Sequence, residues 1–297
     1  MNNLRIGVIG IPGKWSTEVL ADKIESKTGY RLVIDMADIA LDLENKRLLA
    51  NGINLCELDG LIVKKASQDY NPSMLDRVEL LRVAEASGVR VFSSAESILR
   101  LVDRLSCTVT LRNADIPMPS TFVTENIDQA VKAIKQYGSA VLKPLFSTKA
   151  RGMTILKSNQ SDAELIHALE AFKINNPMMY LQQKLDLSGR DLGMVFIGGR
   201  YLCTYARVSQ SDTWNTTIHD GGRYENYHPS EELIELGSKA QAPFNLDFTT
   251  VDIALTDTGP IVFEVSAFGG FKGALEGSNI DAAEAYCHYV LTQLDKK

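Results

Sequence analysis

The sequence predicts an α/β chain whose C-terminal half changes to α+β. Three observations predict it. Over residues 1–93, short apolar runs alternate with amphipathic stretches, as in a mostly parallel sheet with covering helices. From about residue 186, apolar and polar residues alternate in paired runs joined by tight turns, which marks antiparallel hairpins. The chain has 297 residues, 45% of them hydrophobic, enough for two domains or one large one with sizeable cores.

The elements follow in order. "LRIGVIG" reads as a buried strand. "STEVLADKIESKTG" follows as a helix, with Ser16 or Thr17 as its cap and Gly29 as its stop. "YRLVID" and "LDGLIVKKA" are further strands. "SMLDRVELLRVAEASG" is an amphipathic helix ended by Gly88, and "VRVFSS" is another strand. From residue 94, "SAESILRLVDRLSCTVTLRNAD" opens on a serine cap and runs as one long helix. "IPMPSTFV" then brings two prolines and an extended crossing. "NIDQAVKAIKQYG" is helical, "SAVLKPLFSTKARGMTILK" is strand, loop, strand, and "SDAELIHALEAFKIN" is helical. "MMYLQQKLD" is a strand leading into a linker. "LGMVFIGGRYLCTYARVS" is a hairpin turned by Gly198–Gly199. After the helix "SEELIELGSKAQAPF" comes a second hairpin, "VDIALTDTGPIVFEVSA", and the helix "DAAEAYCHYVLTQL" closes the chain. The expected division is an α/β domain over 1–93, a linker helix and central domain over 94–180, and a C-terminal antiparallel-sheet domain over 181–297.

A net charge of −6 argues against a broad nucleic-acid footprint, which needs a basic surface. Cys56, Cys107, Cys203 and Cys287 form no CxxC pair, so they read as reduced thiols and not as a zinc site. No signal peptide and no membrane-spanning run are seen, so the expectation is a cytoplasmic protein.

Three stretches carry candidate chemistry. "GIPGKWST" suggests a P-loop, but Val8 stands where the first glycine belongs and Lys14 is followed by Trp15. The loop is either an anion cradle of free backbone N–H groups or a tight turn. In "AVLKPLFSTKARGM", Lys143 ends an apolar strand and needs a polar partner. The following loop holds Ser147, Thr148, Lys149, Arg151 and Gly152, suited to closing over phosphates. In the second hairpin, Ile261, Phe263 and Val265 are expected on one face, Glu264 and Ser266 on the other. Asp252 and Glu264 are equidistant from its turn and fall opposite each other. Two carboxylates that close repel unless a proton or cation intervenes, so they either hold Mg²⁺ or line a wet face.

Read together, "VLKPL", "YLQQKLDLSGRDLGMVFIGGRYLCTYARVS", "TWNTTIHDGGR", "FTTVDIAL" and "FEVSAFGGFKG" resemble the ATP-grasp superfamily. The resemblance covers about residues 94–295 and lies in the RimK-like branch of carboxylate–amine ligases. It is closest to the ATP-grasp members of the bacterial GAK system, where a kinase-like protein would be the partner. It implies an ATP-grasp fold, ATP and one or two Mg²⁺ ions, and small-molecule or peptide carboxylate and amine substrates. Homo-oligomers are common among such relatives.

The implied roles are residue by residue. Lys143 would contact the nucleotide phosphates. Gln182, Gln183, Lys184 and Leu185 would form the hinge that reads adenine. Asp191 would accept from the ribose hydroxyls, and Arg207 would face the γ-phosphate and the acyl phosphate. Asp252 and Glu264 would hold Mg²⁺. The chain departs from the pattern in three places. Arg104 stands where "DKL" has lysine, Asn215 and Thr217 precede Gly221–Gly222 where relatives have Arg and Asn, and Ser266 replaces the asparagine of "E-x-N". The implied reaction phosphorylates a carboxylate, releases ADP, and lets an amine attack the acyl phosphate. The alternatives are a nucleotide-responsive protein without turnover, and phosphorylation of a small molecule.

Overall fold

The computed structural model describes residues 4–147, 150–187, 189–209 and 222–296. The chain opens with β1 (Ile6–Ile9), α1 (Trp15–Thr28) and β2 (Val33–Ile34). A small meander follows: β3 (Ala40–Asp42), β4 (Arg47–Ala50) and β5 (Ile53–Asn54). Then come β6 (Gly60–Val63), α2 (Ser73–Ala86) and β7 (Arg90–Phe92). Strands β2-β1-β6-β7 form the expected parallel sheet. The meander was not anticipated, because its strands have only two to four residues and its apolar positions show no sustained period.

The turn into α1 differs from expectation. Its N-cap is Lys14, without a side-chain bond, while Thr17 Oγ1 accepts from Ile11 N instead. Gly29 does stop the helix, at φ 74° with its N–H on Glu25 O.

The expected single helix from residue 94 is two, α3 (Ala95–Val102) and α4 (Arg104–Asn113). Asp103 between them is extended (φ −109°, ψ 151°), and its carboxylate accepts from Ser106 N at 2.8 Å. A capping aspartate that satisfies a first-turn N–H competes with helix continuation. The break places Arg104 in the first turn of α4, aimed at the site below. Asp103→Ala is expected to lower unfolding stability by about 1 kcal/mol. An unchanged denaturation midpoint would contradict the capping role.

The central unit comprises β8 (Thr121–Thr124), α5 (Ile127–Tyr137), β9 (Ser139–Lys143), β10 (Thr154–Lys157), α6 (Asp162–Lys173) and β11 (Met179–Gln183). Its sheet runs β10-β9-β11-β8, antiparallel throughout. Leu142, Leu156, Leu165, Leu169 and Leu181 belong to a core of its own. Each such side chain contributes about 1.5–3 kcal/mol when buried.

The C-terminal sheet uses β12 (Arg190–Ile197), β13 (Arg200–Val208), β14 (Arg223–Asn226), β15 (Phe248–Thr256) and β16 (Gly259–Ser266), with α7 (Glu231–Gln241), α8 (Lys272–Ser278) and α9 (Ala282–Leu294). Its order is β14-β13-β12-β15-β16. Gly198 (φ 54°) and Gly199 (φ 75°) turn the first hairpin, as expected from a turn that needs two positive φ values. Both faces share cores with the N-terminal sheet: Met194, Phe196 and Val251 with Leu61 and Val91, and Val195 and Phe248 with Ile6 and Phe92. The N-terminal sheet and the C-terminal sheet are therefore one packed body, with the central unit set on its own core. Among the described residues, no helix is long and apolar enough to cross a membrane.

Candidate functional site

Lys143 closes β9 facing the C-terminal sheet. Its Nζ donates to Gln182 Oε1 at 2.5 Å and lies 5.5 Å from the ring centroid of Phe263. Gln182 is fixed in turn: its Nε2 donates to Thr121 Oγ1 (3.1 Å) and Tyr180 OH (3.2 Å), and Tyr180 OH meets Thr108 Oγ1 at 2.8 Å. Among the described residues no carboxylate lies within ion-pair distance of Lys143. Burial pushes its ammonium down to about 7, with Arg104 adding to the effect and Glu264 opposing it. A cation without an acid partner on a shaped strand end is suited to an incoming phosphate.

The segment Gln182–Leu185, expected as a hinge, begins on β11 and runs past its end. Gln182 is buried and orients Lys143. The backbone N–H groups of Gln183 and Lys184 donate to Ser120 O (2.8 Å) and Ser139 O (2.9 Å). Those two donors are already engaged within the fold.

The acids lie in a row across the C-terminal sheet. Asp252 on β15 and Glu264 on β16 are direct register partners, as the hairpin symmetry predicted. A bulge follows at once, because Ile253 pairs with Val262 and Phe263 is the extra residue. The bulge corrects the expected alternation: Val262 is buried, and the Phe263 ring is brought to Lys143. Asp191 on β12 faces Arg207 on β13. Arg207 Nε donates to both Asp191 oxygens at 3.2 and 3.0 Å, and its NH2 group also contacts Asp191 and lies 2.9 Å from Asp252 Oδ1. Asp191 is thus held against Arg207, where the resemblance implied a ribose contact.

The charges tune one another. Burial pushes the Asp252 carboxyl up to about 6, reinforced by Asp191 and Glu264 and opposed by Arg207. For Arg207, burial is outweighed by the Asp252 and Asp191 carboxylates, which raise it well above its ordinary value. Arg104 completes the row from α4: its NH1 group lies 3.4 Å from Glu264 Oε2, and its backbone N–H donates to Leu145 O at 3.0 Å. Arg104 thereby ties the start of the loop after Lys143 to Glu264.

The donor set fits Mg²⁺. Asp252 and Glu264 offer hard carboxylate oxygens on facing strands. Among the described residues no group of three or more His, Cys, Asp or Glu side chains is arranged as a metal cage. Two carboxylates on facing strands suit Mg²⁺, which is often held by one or two carboxylates together with substrate phosphates. Ser266 shares their strand face, and its Oγ accepts from Phe268 N at 3.2 Å, which leaves it one lone pair as an outer ligand.

The "GIPGKWST" loop is a closed turn. The N–H groups of Gly10, Ile11, Gly13 and Lys14 are engaged by Ile34 O, Thr17 Oγ1, Glu18 Oε1 and Ile11 O. Those four donors are taken up within the turn, which favours the tight-turn reading over an anion cradle. In the loop after Lys143, Ser147 Oγ donates to Arg151 O, and Arg151 NH1 lies 3.6 Å from Asp69 Oδ1. Thr148, Lys149, Asn215, Thr217 and Gly221 lie outside the described residues.

Comparison with known proteins agrees with this geometry. The RimK-like ATP-grasp domain matches residues 102–290. The tetrahydromethanopterin:alpha-L-glutamate ligase of Methanosarcina acetivorans is 24% identical, covering 96% of this chain and 98% of its own. The glutamate–LysW ligase ArgX of Sulfurisphaera tokodaii is 26% identical, covering 87% and 94%. The ATP-grasp ligase PsnB, solved with a phosphomimetic variant of its minimal precursor, Mg and ADP, superposes with a TM-score of 0.77 at 17% identity over 99% of this chain and 100% of that one. The chain belongs to the RimK-like ATP-grasp family. It is an ATP-dependent carboxylate–amine ligase, of a family that uses ATP and Mg²⁺.

Proposed function

We propose that this ligase joins glutamate, or a similarly acidic amino acid, to a small-molecule or peptide partner. The observation that carries the reading is the charge row Arg207–Asp252–Glu264–Arg104 facing Lys143, which places three cations around two facing carboxylates. The glutamate ligases named above support the substrate class. In the reaction, a carboxylate oxygen attacks the γ-phosphorus of ATP and ADP leaves. The amine then attacks the acyl carbon, releasing inorganic phosphate and a proton.

The chain's residues supply position and charge. Lys143, oriented by Gln182, holds the phosphates. Arg104 holds the entrance of the loop that covers them. Arg207 exchanges its contact with Asp252 for the transferred phosphoryl group. Leu185 and the carbonyls of Gln183 and Lys184 receive the adenine. Asp191 holds Arg207, and its ribose role follows only where that pair opens. Asp252, Glu264 and, as an outer ligand, Ser266 would hold Mg²⁺. Bound there, the ion neutralises phosphate charge.

The central unit would close as a lid over the shared body, with its C-terminal boundary at the end of β11 (Met179–Gln183) and not at residue 180. The kinase-like partner, the homo-oligomer and the cytoplasmic setting belong to the same proposal. Four free cysteines support a reducing compartment. The test is ADP release with L-glutamate against a panel of carboxylates and amines, with product mass determined. An amide product is the expected result. A phosphorylated small molecule without an amide would overturn ligation of this substrate class, and MgATP binding without ADP release across the panel would favour a nucleotide-responsive role.

A further inference from the structure

Lys64, at the end of β6, belongs to none of the roles above. It is 4% exposed, deep between the N-terminal sheet and the loop after β16. Its Nζ donates to Gly269 O at 2.5 Å and sits 4.5 Å from the Phe271 ring centroid and 5.6 Å from that of Phe248. Among the described residues no carboxylate lies within ion-pair distance of it. Burying an amine without an acid is unfavourable, and here the rings and one carbonyl are what offset it.

The carbonyl it holds fixes a donor on the other side. The Gly269–Gly270 peptide is trans, so its C=O and N–H point in opposite directions. With Gly269 O drawn inward to Lys64, Gly270 N–H points outward. Gly270 is exposed, so its outward side faces solvent. The loop has little freedom to turn over. A Cβ on Gly269 would lie 2.3 Å from Thr250 Cγ2, and Thr249 Oγ1 holds Ser266 O at 2.8 Å. Gly270 therefore presents an oriented N–H four residues beyond Ser266, on the strand end that carries Glu264. A hydrogen bond to the carbonyl of a peptide also strengthens donation from its N–H.

We propose that Lys64 is a positioning residue, which holds the Gly269–Gly270 peptide so that Gly270 N–H receives a phosphoryl oxygen on the substrate side of the site. The inference rests on the ligase reading above and adds an N-terminal-sheet residue to its machinery.

The test uses full-length protein labelled with ¹⁵N-glycine, the Gly270 peak assigned by its loss in Gly270→Ala. Inorganic phosphate is titrated with and without MgADP. The wild-type Gly270 amide is expected to move on phosphate addition, and Lys64→Met is expected to weaken that phosphate binding about tenfold with an unchanged melting temperature. An unmoved Gly270 peak in wild type, or equal phosphate affinity in a folded Lys64→Met, would overturn the proposal. Failure of the nucleotide site is read separately, as the absence of any glycine shift on adding MgADP alone. An unmoved wild-type peak overturns the proposal even where Lys64→Met does not fold, and Lys64→Gln then serves as the second variant for the affinity comparison.

Discussion

Arg207→Met is expected to lower the melting temperature by roughly 10 °C. The guanidinium is the shared partner of Asp191 and Asp252, whose side chains are 9% and 27% exposed. Removing it takes the guanidinium away from two inward carboxylates, and breaking a buried pair from one side costs about 3–5 kcal/mol. The double variant Arg207→Met/Asp191→Asn should recover part of the loss, since one of the two repelling charges is gone. A thermal melt in which the single variant stays within 2 °C of wild type, on a scale of about 2–4 °C per kcal/mol, would show that the pair is not a stabilising contact. Because Arg207 is also assigned to the phosphoryl group, its loss of activity must be measured well below the variant's melting temperature.

Lys143→Met is expected to abolish proton uptake on nucleotide binding. In the free protein, burial holds the Lys143 ammonium down at about 7. A bound phosphate favours the charged form and returns the group toward its ordinary value. The sign follows: at pH 8 the free lysine is mostly neutral and the complex protonated, so binding takes up close to one proton, about 0.9 by the titration curve. At pH 6 the lysine is already charged and contributes almost no uptake. Calorimetry of MgADP binding in buffers of different ionisation enthalpy measures this directly. The variant should show no pH-8 uptake and an affinity lower by about ten- to a hundredfold, from a lost charge-assisted hydrogen bond. Uptake that persists in the variant would place the titrating group elsewhere.

Much of the site was legible because charged residues in apolar runs need a reason. Lys143 at the end of "AVLK" and the Asp252–Glu264 pair across the second hairpin were found from that rule, and the register agrees. The same rule applied to "GLIVKK" would have found Lys64, the buried amine of the companion strand. Other features had no local signal. The Phe263 bulge reverses a strand face without changing its composition, so only pairing reveals it. The break at Asp103 was hidden because "LRLVDRLSC" keeps helical periodicity through its capping residue. The Gln182–Tyr180–Thr108 chain joins residues 72 apart in sequence, which no window of pattern can connect. The glycines of "GIPGKWST" left two readings open, because a tight turn and an anion cradle share composition; the internal partners of four of its N–H groups favour the turn.

The central claim is that Asp252 and Glu264 hold Mg²⁺ for a nucleotide gripped by Lys143. Calorimetric titration of ADP, with and without Mg²⁺, into wild type, Asp252→Asn and Glu264→Gln tests it most directly. The expected result is wild-type binding tightened by Mg²⁺, with the Mg²⁺ effect lost in both variants while the metal-free affinity stays within about twofold. Nucleotide binding that depends equally on Mg²⁺ in all three proteins would contradict the assignment and return the two acids to the wet face of a hairpin.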